Sequence, residues 1–85
     1  MDTLREERRR ACEDAEAHEK RRERIERERR DVSIARAQHP DPYLDVLLED
    51  LDHRVAFQER VTRTVSERCA ALRRLLERID PVKMR

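Results

Sequence analysis

The chain contains no glycine. Phosphate-cradling loops, dinucleotide fingerprints and nucleophile elbows all depend on glycine for tight backbone turns, and two-residue hairpin turns favour it. A strand-rich fold or a loop-built active site is therefore not expected. Aromatic residues are almost as scarce, with Tyr43 and Phe57 alone. Cysteine occurs twice, as Cys12 and Cys69, in separate halves of the chain and in no close pair. That spacing argues against zinc ribbons and redox motifs, and two isolated cysteines fall short of a secreted disulfide scaffold. No apolar run approaches the ~20 residues of a membrane span, so no transmembrane segment is expected. The start is charged from Asp2 onward and lacks the apolar core of a signal peptide. It is rich in arginine but equally acidic, unlike a transit peptide. These absences lead to the expectation of an intracellular protein, soluble or complex-bound, with cytoplasmic and mitochondrial locations both compatible.

What the chain has is charge. Of its 85 residues 48% are charged and 36% hydrophobic, a balance that leans toward long charged helices or disorder and away from a compact globule. Twenty-one basic residues oppose 20 acidic ones, giving a net charge of +1. A chain so nearly neutral lacks the positive field of a typical nucleic-acid binder. The only lysines are Lys20 and Lys83, so the cations are overwhelmingly arginine. Arginine suits forked pairing with carboxylates, within a chain or across an interface.

Ala, Arg and Glu, all strong helix formers, dominate the stretch to His39, which no proline interrupts. Thr3 and Glu6 fit a capping box at its start. Glu6/Arg10, Glu16/Lys20, Glu23/Arg27 and Glu26/Arg30 are four residues apart in the favourable order, each adding roughly 0.2–0.5 kcal/mol. Pro40 turns His39 away from helical geometry. Asp41 followed by Pro42 then supplies an N-cap acceptor and a residue suited to the first helical position. A second helix is predicted from about residue 42 to 80, stopped by Pro81, with a short tail over 81–85. The expected architecture is a single all-α module: a helix over about 3–39, a turn at 40–42, and the second helix.

Alternate steps of four and three along the second helix trace Leu44, Leu48, Leu51, Val55, Gln58, Thr62, Val65, Cys69, Leu72, Leu76 and Ile79. All but Gln58 and Thr62 are apolar, which is the pattern of a coiled-coil seam. Leu47, Val61 and Leu75 widen the stripe on one flank, enough for a second partner helix. The first helix repeats at seven more weakly, through Leu4, Ala11, His18, Ile25, Val32 and His39. Folding back at the prolines aligns Leu4 with Ile79, Ala11 with Leu72, His18 with Val65, Ile25 with Gln58 and Val32 with Leu51. An antiparallel hairpin is thus favoured over an open rod. In this register Cys69 lies opposite Ala15 and Cys12 is displaced by about a turn. Cys69 reads as a small buried residue, and no Cys12–Cys69 disulfide is expected. With so little apolar surface on the first helix, the hairpin is expected to be loose without partner helices.

Catalysis and ligand chemistry find little support. Ser33, Ser66, Cys12 and Cys69 have no evident oriented base. His18, His39 and His53 could ligate metal, but Asp14/His18 and Glu49/His53 each offer only two ligands. Neither cofactor nor metal is expected, and the chain does not read as an enzyme. Glu26-Arg27-Glu28-Arg29-Arg30-Asp31, after Lys20-Arg21-Arg22, resembles the ERxRR core of basic helix-loop-helix transcription factors, which implies major-groove reading by Glu26 and phosphate contacts by the arginines. The sequence departs from that pattern at Arg22, where the family has histidine. Glu23 and Glu28 dilute the basic run, and the second helix starts acidic. The leading expectation is a non-catalytic structural or adaptor subunit that docks by helix packing into a larger assembly. Its partners would be other subunits or copies of itself, met through the seam residues Leu44, Leu48, Leu51, Val55, Val65, Cys69, Leu72, Leu76 and Ile79. Nucleic-acid binding through Lys20–Arg30 is the alternative, as is a homo-oligomeric coiled coil.

Overall fold

A computed structural model describes residues 2–79 and shows two long helices, α1 (Asp2–Gln38) and α2 (Pro42–Ile79), folded against each other as an antiparallel hairpin. The molecule measures 58 × 18 × 15 Å, one helix pair wide along its whole length. The expected all-α hairpin is therefore the observed architecture. The tail at 81–85 and the stop at Pro81 lie outside the described residues.

The proline turn forms as its chemistry dictates. The His39 amide donates to the Ala35 carbonyl at 2.8 Å, closing the last turn of α1. Asp41 then caps α2. Its carboxylate accepts the Tyr43 amide at 2.9 Å, its carbonyl accepts the Leu44 amide at 2.9 Å, and Pro42 opens the helix without needing a donor. The other end departs from expectation. α1 already includes Asp2, so Thr3 lies inside the helix and not at its cap. Glu6 turns its carboxylate to Arg9 and Arg10 instead of to a backbone amide. Two guanidiniums of full opposite charge outcompete a single backbone amide for the carboxylate.

The larger correction concerns register. Cys12 and Cys69 are joined by a disulfide, with their Cα atoms 4.8 Å apart. The pairing expected from the heptads is displaced by two residues, a shift of about 3 Å along the axis at 1.5 Å per residue. Cys69 faces Cys12 and not Ala15. The ion pairs Arg29–Asp52 and Arg36–Asp45 obey the same displaced register. Gln58, expected beside Ile25, bonds one heptad away to His18. The weak repeat of α1 explains the error: Ala11 and Ala15 offer nearly equivalent small surfaces, so apolar matching alone discriminates poorly between neighbouring registers.

A candidate interaction surface

α2 contributes most of the covered side chains, and the predicted seam marks them. Leu51 and Leu76 are fully enclosed and Cys69 is buried, while Leu44, Leu48, Val55, Val65 and Leu72 are half-covered. Ile79, at the open end, keeps 45% of its surface exposed. The first partner of the seam is thus α1 of the same chain. Across from it α1 supplies Ala11, which is buried, with Ala15, His18, Ile25 and Val32 half-covered.

The two polar seam positions form one buried layer. Gln58 Nε2 lies 2.8 Å from His18 Nδ1, and donates to Thr62 Oγ1 at 3.4 Å and to the His18 carbonyl at 3.5 Å. Gln58 and Thr62 are both buried, and their bonds remove the penalty of placing polar groups in an apolar seam. A single polar layer of this kind disfavours sliding, because any other alignment leaves it unsatisfied.

Carboxylates pair with Arg9, Arg10, Arg22, Arg29, Arg36 and Arg54. On α1, Arg9 bridges Glu6 and Glu13, and Arg22 bridges Glu19 and Glu26. Hydrogen bonds from Arg9 hold the Glu6 carboxyl below its ordinary value of 4.5, and hydrogen bonds from Arg22 do the same to Glu19. The Arg22 guanidinium is held protonated more firmly than usual, chiefly by its bond to Glu19. Two of the predicted four-residue pairs form, Glu6–Arg10 at 3.2 Å and Glu16–Lys20 at 3.5 Å, whereas Glu26 pairs backward with Arg22 at 2.7 Å. Lys20, Arg22 and Arg29, three cations of the basic-region candidate, all face carboxylates.

The two flanks of α2 differ. One carries Asp45 and Asp52, which reach α1 as ion pairs with Arg36 and Arg29. The other carries the Leu47, Val61 and Leu75 row, joined by an adjacent row that the sequence reading passed over: Tyr43, Phe57 and Ala71. Each recurs every fourteen residues, with Arg54, Arg68, Asp50 and Thr64 at the heptad positions between, so the signal was a second three-and-four stripe beside the first, only partly apolar. Phe57 lies 59% exposed, with the Arg60 guanidinium 6.0 Å from its ring centre. Beside it runs a shallow groove of about 320 Å³ between the helices, lined by Arg21, Ile25, His53, Arg54, Phe57 and Gln58. Among the described residues no group of three or more His, Cys, Asp or Glu side chains is arranged to hold a metal ion, and no helix is long and apolar enough to cross a membrane. No protein-family model matches the chain, and neither a curated protein nor a solved structure is similar to it.

Proposed function

We propose that this chain is a non-catalytic structural or adaptor subunit that docks by helix packing into a larger protein assembly. One observation carries the reading: after α1 has covered the seam, α2 still presents Tyr43, Leu47, Phe57, Val61 and Leu75 along one flank, with Tyr43 69% and Phe57 59% exposed. A hairpin one helix pair wide cannot fold these residues inward, and helix packing is the ordinary way to cover such a row. The disulfide favours a compartment that keeps thiols oxidised over a reducing cytosol. Nucleic-acid binding through Lys20–Arg30 is the weaker reading, since Lys20, Arg22 and Arg29 already face carboxylates. Recovery of the tagged full chain from its native source tests the proposal. A stoichiometric protein partner is expected, and Phe57→Asp should release it without loss of helix content. Recovery of the chain as a lone monomer, or of a complex indifferent to Phe57→Asp, would overturn it.

A further inference from the structure

We infer that the partner along this exposed row is a second copy of the chain, docked antiparallel through α2. The inference rests on the docking function proposed above and gives that docking a geometry. The row in chain order is Tyr43, Leu47, Asp50, Arg54, Phe57, Val61, Thr64, Arg68, Ala71, Leu75, and it reads compatibly in both directions. Laid against its own reverse about an axis between Phe57 and Val61, it brings Phe57 against Val61 of the second copy. Leu47 meets Ala71, Tyr43 meets Leu75, Arg54 meets Thr64, and Asp50 meets Arg68. Every apolar residue faces an apolar one, every polar residue a polar one, and the single acid faces a base. The steps alternate three and four, so each layer pairs one position of the stripe with the other, as antiparallel helix packing requires.

A slip of one heptad destroys the match. In one direction Asp50 faces Leu75 and Phe57 faces Arg68. In the other, Asp50 faces Val61 and Tyr43 faces Arg68. The charge of the whole helix favours the same orientation. Asp45, Glu49, Asp50, Asp52 and Glu59 outnumber two arginines in residues 42–60, and Arg63, Arg68, Arg73, Arg74 and Arg78 outnumber two glutamates in 61–79. Antiparallel copies place the acidic half of each helix beside the basic half of the other, whereas parallel copies stack like on like. The row is available for this: Tyr43, Phe57 and Leu75 are exposed, Leu47 and Val61 are half-covered, and Asp50 has only a 4.0 Å contact to Arg54. Arg60 approaches its own copy near the axis, where exposed like charges repel only weakly. The product is a two-fold pair of hairpins, a four-helix arrangement closed by an isologous contact.

Sedimentation equilibrium on the oxidised full chain tests this, with circular dichroism confirming that variants keep their helix content. The wild type should sediment at twice the monomer mass. Asp50→Arg should weaken dimerisation at least tenfold, and Asp50→Arg/Arg68→Asp should restore it. Independently of any folding defect in those variants, Phe57→Cys mixed with Val61→Cys should cross-link between chains, and Phe57→Cys mixed with Leu75→Cys should not. A monomer at every concentration, or a dimer indifferent to Asp50→Arg, would overturn the inference. If that monomer still binds a different protein through Phe57, the docking function survives alone; if it binds none, both fail. A charge-swappable dimer that recruits no other protein would uphold the inference and reduce the function to self-association.

Discussion

Cys12 and Cys69 carry the largest single contribution that the sequence did not reveal. Their bond closes a separation of 57 residues. Cross-linking a loop of that size removes unfolded-chain entropy equivalent to about 4 kcal/mol. The hairpin needs this, because α1 returns small alanines and few aliphatic side chains to the seam. The expectation of a loose, partner-dependent hairpin counted no cross-link, and the disulfide changes that balance within a single chain. Paired Cys12→Ser/Cys69→Ser substitution should lower the thermal midpoint by roughly 15 °C or more, by the usual relation for domains of this size. Melts of the wild type with and without reductant should reproduce the same loss. Coincident melts under oxidising and reducing conditions would mean that the bond does not form in solution. The Gln58–His18–Thr62 layer acts differently: it adds little attraction, but it penalises misalignment.

The two helices and the turn between them were legible at the level of the element because their causes are local. Pro40, Asp41 and Pro42 encode a turn and a cap within three residues, and the structure realises both. The seam of α2 was legible because Leu51, Cys69, Leu76 and their neighbours repeat at heptad spacing, and those positions are the covered ones. Register was not legible, since it depends on pairing between helices. Ala11 and Ala15 fit a leucine about equally well, and the bonds that decide, Cys12–Cys69 and Gln58–His18, join residues far apart in sequence. The capping box failed for a local reason, competition by Arg9 and Arg10 for Glu6. The same competition predicts an acid response. Glu6 and Glu19 have folded-state pKa values below their ordinary 4.5, so they stabilise α1 fully above that value. The contribution fades as pH falls through the lowered values, where protonation releases Arg9 and Arg22. Helix content followed by circular dichroism should decline below about pH 4.5, and Glu6→Gln/Glu19→Gln should flatten that acid limb. An unaltered acid limb would show that these pairs do not support the helix. Each side chain keeps 43% of its surface in solvent, so the effect should be modest.

For the whole molecule, the hairpin turns charge patterning into alignment, and this sets what a nucleic acid would have to displace from residues 20–36. Folding back places that basic stretch of α1 beside the acidic start of α2, where Arg29 meets Asp52 and Arg36 meets Asp45. Arg22 is held between Glu19 and Glu26 with only 25% of its side chain exposed. For such a segment to bind a duplex, phosphates must displace these carboxylates, and the net charge of +1 gives little long-range attraction to help. Replacing Arg22, Arg27 and Arg29 with Gln should therefore weaken folding or assembly modestly, by roughly 0.2–1 kcal/mol for each exposed pair lost. Duplex DNA should bind poorly near physiological salt, before and after the substitutions. A true basic region predicts the reverse: tight binding by the wild type, a steep salt dependence from released counterions, and loss of both in the triple variant. Titration of a labelled duplex at two salt concentrations separates the outcomes. Sub-micromolar, salt-sensitive binding by the unmodified chain would transfer the function from protein docking to DNA. The carboxylates already seated on Lys20, Arg22 and Arg29 are the physical reason to expect weak binding instead.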